Sequence, residues 1–280
     1  MTHRTLSFGL NLSGSIPELR ENARRAEQIG FDVVLTPDHL GMAAPLPSLV
    51  AMAEAAPTLR VSTHVLNTSF YRPALLARDL AAVDSATDGR LIIGMGAGYS
   101  EGELRAVGLP FPSAGARINH LVEHVDEIRR CLSDPGYVPT PVQTPPPILI
   151  GGSGDRLLTT AAQHADIVDI SYVGGRDQLA GRAALVREQA GQRAKDVELA
   201  YTFVQIGLDD PDDLSVLRAV APHLPDEELY ATPTHLTGPI EAAADQVLSL
   251  HEELGFSFFT FLMQPSVSWR SLEKLLAALR

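Results

Sequence analysis

Short apolar runs alternate with stretches of helical period along the chain, and the alternation predicts eight strand–helix units. Residues 6–12 read as a first strand ending at the polar Asn11. Helix one follows over 16–30, with Pro17 tolerated in its first turn and Gly30 closing it. A strand at 31–35 precedes a helix at 46–56, and a strand at 59–66 precedes an Ala/Leu-rich helix at 73–86. The fourth strand, 90–95, leads to a helix at 116–132 whose Ile118, Leu121, Val125 and Ile128 share one face. Strand five, 148–150, is apolar throughout and belongs in a parallel sheet buried on both faces. Strands at 165–170, 197–208 and 257–263, with helices at 177–192, 239–254 and 268–279, complete the series. Residues 209–238, rich in Asp and Pro, read as an excursion over the barrel with one or two short helical turns. This beat predicts an α/β fold, a single (β/α)8 TIM barrel, forming one domain over residues 1–280.

Composition narrows the function classes. The chain is 45% hydrophobic over 280 residues, enough for one large core. A formal net charge of −12 speaks against non-specific binding to nucleic acid or an anionic membrane, since both want a basic patch. One cysteine, Cys131, excludes an internal disulfide framework. No run approaches membrane-spanning length, and the opening residues enter a strand pattern without the apolar core of a signal peptide. A cytoplasmic protein is the expectation. Lysine occurs only at 195 and 274, which disfavours a Schiff-base lyase or isomerase.

Candidate chemistry gathers where strands end, because a barrel of this kind binds ligands at the C-terminal ends of its strands. The strand at Ile148 runs into Gly151, Gly152, Ser153 and Gly154, then a helix that Ser153 or Asp155 can cap. Strand, glycine loop and helix start make an anion seat, or a tight turn that holds nothing. Asn11 ends strand one, Asp38 and His39 follow strand two, His64 and Asn67 end strand three, and Gly96, Gly98 and Tyr99 end strand four. His39 reads as an acid/base group with Asp38 orienting it, or as a surface histidine beside a turn residue. His64 reads first as a core histidine bonded to backbone. Glycines 94, 96 and 98 miss the dinucleotide-binding spacing, and read instead as room for a planar ring. His120, Glu123 and His124 match a zinc-protease spacing, but their helix is expected to turn all three toward solvent, so no metal is expected. Phe8, Phe70, Tyr71, Tyr99, Tyr172 and Phe203 are candidate pocket aromatics.

Several stretches taken in order resemble the bacterial luciferase-like family of flavin and deazaflavin enzymes, particularly its coenzyme F420-dependent branch. They are residues 26–32 (AEQIGFD) leading to Asp38-His39, residues 71–74 (YRPA) leading to Asp84, residues 89–98 (GRLIIGMGAG), residues 141–154 (PVQTPPPILIGGSG) and residues 236–241 (LTGPIE). The resemblance implies a tricyclic ring packed on a bulge in strand three, near His64-Val65, that often carries a non-proline cis peptide. It implies the cofactor phosphate on the Gly151–Gly154 loop, His39 beside the reactive ring carbon and Asp38 next to the ring. The expected site is then His39 in catalysis; Asp38, His64, Val65, Asn67, Gly96, Gly98, Tyr99, Gly151, Gly152, Ser153 and Gly154 at the cofactor; and Asn11 and Tyr172 at the substrate.

Two departures bear on substrate. Sugar-phosphate dehydrogenases of this branch carry a Glu after the fourth-strand glycines, where this chain has Tyr99 and then Glu101. They also use basic residues late in the barrel, whereas between residues 197 and 264 Arg218 is the one basic side chain other than histidine. The segment from Asp134 to Gln143 is also short where many relatives carry an extra strand or loop. The expectation is an F420-dependent oxidoreductase passing hydride between a deazaflavin and a small organic substrate. An FMN-dependent monooxygenase using reduced flavin and oxygen is the alternative on the same fold, and a non-catalytic flavin-binding barrel is the alternative of another class. A homodimer through outer helices is compatible with the resemblance.

Overall fold

The computed structural model describes residues 5–280; the opening residues 1–4, part of the stretch read as lacking a leader, lie outside it. Eight parallel strands close into a barrel. They are β1 (Ser7–Asn11), β2 (Val33–Thr36), β3 (Arg60–Thr63), β5 (Leu91–Gly96), β6 (Ile148–Gly152), β7 (Ile167–Ile170), β8 (Glu198–Phe203) and β11 (Phe258–Leu262). A two-residue strand β4 (Leu66–Asn67) continues β3 beyond a break, and closure comes from β3 pairing with β5, Val61 against Leu91. The helices α1 (Ile16–Ile29), α2 (Pro45–Ala55), α3 (Pro73–Ala86), α5 (Ala114–Leu132), α6 (Asp155–His164), α7 (Arg176–Ala190), α10 (Ile240–Leu254) and α11 (Trp269–Leu279) follow the strands. Gly30 and Gly255 end α1 and α10 in the left-handed conformation, as a C-terminal glycine does.

Strand alternation sorts side chains into two cores. Val33, Leu35, Ile92, Leu149, Ile167 and Phe258 fill the barrel, while the larger core lies between strands and helices. Phe8 and Phe203 belong to the outer one: Phe203 stacks on Phe261 at 5.4 Å and Phe8 approaches the same ring at 6.3 Å. Neither lines the mouth, which corrects their reading as pocket aromatics. At the bottom, buried Asp84 accepts from the backbone of Val142 and Gln143 and from the Gln143 side chain, so two residues of the stretches that carry the resemblance serve the closed end.

The third strand breaks at a cis His64–Val65 peptide, where the resemblance put the bulge. Two elements depart from expectation. The long seventh strand splits: Val204 turns its N–H to Thr234, and β9 (Gln205–Gly207) leaves the barrel to pair with β10 (His235–Thr237). The excursion carries short helices α8 (Ser215–Val220) and α9 (Asp226–Ala231) on their own small core of Leu214, Leu217, Ala221 and Leu229. The second is a six-residue helix, α4 (Glu101–Ala106), which is too short to show a period.

His124 is not solvated as its helix pattern suggested. It is fully buried, its Nδ1 2.8 Å from the His120 carbonyl and its Nε2 3.1 Å from that of Tyr71. Both nitrogens face backbone carbonyls, and the single N–H of the neutral ring donates to one of them. Burial holds His124 and the buried His235 below the usual imidazole range. A depressed imidazole makes the unfolded chain bind more protons, so stability is expected to fall as pH drops below about 6.5. Urea melts at about pH 7.5 and 5.5 measure this; His124→Gln should flatten the difference, and an unchanged slope would contradict the assignment.

Candidate active site

The mouth of the barrel holds three groups of side chains. On the β2–β5 rim, His39 Nδ1 donates to Glu103 Oε1 at 2.8 Å, and the Tyr99 hydroxyl lies 3.4 Å from Nε2 with the two rings edge-on. A carboxylate only accepts, so the proton of a neutral His39 sits on Nδ1 and Nε2 is the basic nitrogen, with the Tyr99 hydroxyl its one long hydrogen-bond donor among the described residues. The imidazole remains 30% exposed and Glu103 20% exposed, open enough for a substrate to reach them. Glu103 takes the place expected of Asp38. It was missed because helix α4 was missed, although the Ser100 hydroxyl accepting from the Glu103 N–H is a helix-cap signal in the sequence.

Asp38 works on the other side of its strand end. Its Oδ2 accepts from the Asn67 N–H and the Tyr71 hydroxyl, each at 3.0 Å, and burial pushes its carboxyl up despite them. It fixes the β4 bend instead of orienting His39. The Asn67 side chain is likewise spent locally, accepting from Ser69 N and lying against Gly98.

The second group forms the floor. His64 Nε2 donates to Asp169 Oδ2 at 3.2 Å, and Asp169, fully buried on β7, also accepts from Ser171 and from Thr202 at 3.0 Å. Burial works to raise the Asp169 carboxyl, yet these donors hold it below the usual carboxylate range. The charged partner of His64 is therefore a side chain, not the backbone group expected. Asp169 went unnoticed, although its alternation with Ile167 places it inside the barrel. Asn11 stands on the same inner surface, 4% exposed, and its Nδ2 has no partner among the described residues.

The floor also explains the glycines. A Cβ on Gly94 would lie 1.8 Å from the Thr63 carbonyl oxygen, and one on Gly96 would lie 2.5 Å from Val65. At Gly98, φ is +72° and a Cβ would meet Asn67. These positions make room for the β3–β4 break, a close approach of neighbouring backbone and side chains. On β6, next to β5, a Cβ added to Gly151 would likewise lie 3.2 Å from Val65.

The third group is the glycine loop. Gly154, not Ser153 or Asp155, is the N-cap residue of α6, and no side chain caps that helix. Its first-turn N–H groups therefore keep their capacity for an anion. Arg182 Nε donates to the Ser153 carbonyl at 3.0 Å while its guanidinium lies 3.6 Å over the Tyr172 ring. Tyr172 thus stands with the glycine loop and not with His39.

Among the described residues no group of His, Cys, Asp and Glu side chains is arranged for a metal, and no helix is long and apolar enough to cross a membrane.

Known proteins share this framework. An F420-dependent glucose-6-phosphate dehydrogenase of Nakamurella multipartita is 32% identical over 191 residues, 59% of this chain and 56% of that protein. The chain spans only part of such relatives: matches at 32–34% identity cover 36–56% of their length. Among solved structures, an F420-dependent secondary alcohol dehydrogenase in complex with an F420–acetone adduct superposes with a TM-score of 0.82 at 18% identity, over 99% of this chain and 100% of that one. The oxygenating constituent of 3,6-diketocamphane monooxygenase from Pseudomonas putida, in complex with FMN, gives 0.78 at 14% identity, covering 97% of each chain. The sequence profile of the luciferase-like monooxygenase family matches residues 3–259. Because that match runs from ahead of β1 into β11 and takes in seven barrel strands whole and the start of the eighth, the chain belongs to the luciferase-like monooxygenase family.

Proposed function

We propose that the chain is an F420-dependent oxidoreductase acting on a small neutral alcohol or its ketone. The His39–Glu103 pair carries the reading. Oxidising an alcohol removes a hydride from carbon and a proton from oxygen, and a base must take that proton. His39 Nε2 is positioned to take it, and Glu103 supports the positive charge that the imidazole acquires. In the reverse direction His39 returns the proton to the carbonyl oxygen. The bound deazaflavin supplies the hydride-accepting carbon, and the protein supplies position and proton.

The residues present fit such a cofactor. The Gly151–Gly154 loop and the uncapped start of α6 suit its phosphate, and Asn11 Nδ2 is a buried donor without an acceptor among the described residues. Relatives named for F420 favour it over FMN. The substrate is neutral because a phosphate would find no grip on the β8–β11 side: Arg218 is paired with Asp226 at 2.6 Å within the excursion. Apolar Leu40 and Met42, each about half exposed, follow His39 on the rim.

Glu103→Gln is expected to lower kcat roughly tenfold or more while cofactor affinity holds, because the imidazolium loses its counter-charge; steady-state kinetics with the folded variant check it. The reading itself is tested by parallel fluorescence titrations with F420 and FMN. Tighter binding of F420 supports it. Tighter binding of FMN moves the chain to a flavin monooxygenase, the reading that the family's FMN-binding structures favour, and makes oxygen uptake the next assay.

A further inference from the structure

His64 enters from the break between β3 and β4, while Asp169 stands on β7, with β5 and β6 between them on the nearer side of the barrel. The 3.2 Å contact between them therefore lays the imidazole across the lumen. Beneath it the barrel is packed with Leu35, Ile92, Leu149 and Ile167, so the 11% exposure left to the His64 side chain is on the mouth side. Asp169 is held by three donors and is wholly buried, and its Oδ2 accepts from Nε2. Nε2 therefore carries a proton, while Nδ1 has no partner among the described residues and is not sealed from the mouth. This pair is distinct from His39–Glu103 and takes no part in the proton transfer assigned to it.

We propose that His64 is a cofactor-binding residue whose tautomer Asp169 sets: with the proton fixed on Nε2, Nδ1 accepts a hydrogen bond from the imide N–H of the pyrimidine ring that flavins and deazaflavins share. Asp169 is the positioning residue and His64 the contact. A charged carboxylate behind a histidine fixes which nitrogen is bare, and replacing it by an amide lets the tautomer reverse. The inference rests on the reading that such a ring occupies the mouth, and holds whether it is F420 or FMN.

The first test needs no variant. Long-range 1H–15N NMR of the wild-type protein at about pH 8 is expected to show His64 with Nε2–H and a bare Nδ1; an Nδ1–H tautomer or a doubly protonated ring would overturn the proposal. The second test uses whichever cofactor the wild type binds, beside its derivative methylated at the imide nitrogen. The wild type is expected to bind the methylated form roughly tenfold more weakly, and His64→Phe to bind both alike, at the lower affinity. Asp169→Asn should weaken the unmethylated cofactor by a similar factor. His64→Asn, whose amide oxygen can stand where Nδ1 stands, should retain affinity within about threefold. Equal discrimination by wild type and His64→Phe overturns the contact while leaving the cofactor reading intact. Failure of the wild type to bind either cofactor overturns both.

Discussion

His39→Ala is expected to lower kcat by about 10²- to 10⁴-fold while cofactor affinity stays within about threefold, the range that loss of a positioned acid/base group produces. The two effects separate because His39 meets Glu103 and Tyr99 on the β2–β5 rim, away from the His64–Val65 floor and from the loop at Gly151–Gly154. Its side chain is 30% exposed, so the fold should tolerate the change with a thermal shift of no more than a few degrees. Added imidazole should restore part of the rate by standing in the vacated space. Intact cofactor binding with no turnover in either the wild type or the variant would instead place the chain among non-catalytic flavin-binding barrels, and an unchanged kcat would remove His39 from the chemistry.

Gly94→Ala is expected to cost about 3 kcal/mol or more and to abolish cofactor binding. A methyl group there would sit 1.8 Å from the Thr63 carbonyl oxygen, so β3 and β5 must separate. The Thr63 hydroxyl would then lose both its bonds to Gly94, the one it donates to the carbonyl at 2.7 Å and the one it accepts from the N–H at 3.0 Å. The next residue is His64, and the displacement passes directly into the floor of the site. Gly181→Ala is the control: nothing lies within 4 Å of the added carbon on α7, and alanine favours a helix over glycine by up to about 1 kcal/mol. Thermal melts and cofactor titrations of both variants measure the contrast. A Gly94→Ala protein as stable as wild type would show that the two strands part without cost.

The repeating units of this barrel were legible because each helix writes its own period and each buried strand its own apolar run. The bend at His64–Val65 was expected only through family resemblance; within residues 59–66 the hydrophobic pattern runs unbroken across it. The departure of β9 left equally little trace, since the cause is a hydroxyl thirty residues on, Thr234, taking the Val204 N–H. At the site, adjacency misled. Asp38 and His39 are neighbours in sequence, but consecutive residues point apart where a strand ends, and each found its partner elsewhere. Glycines 94, 96 and 98 announced a close approach without saying by what; the answer, the neighbouring strand's carbonyl and side chains, is a tertiary fact. Asp169 could have been found. A carboxylate two residues beyond an inward-facing isoleucine must itself face inward, and a buried charge requires partners.

The most direct measurement mixes the protein with reduced F420 under strict exclusion of oxygen, with and without a panel of neutral ketones, and follows oxidation of the deazaflavin by its visible absorbance. The account predicts that oxidation needs a ketone and no oxygen, yields the corresponding alcohol, and is lost in His39→Ala. Turnover that appears only with reduced FMN and oxygen, and leaves an oxygen atom in the product, would contradict it.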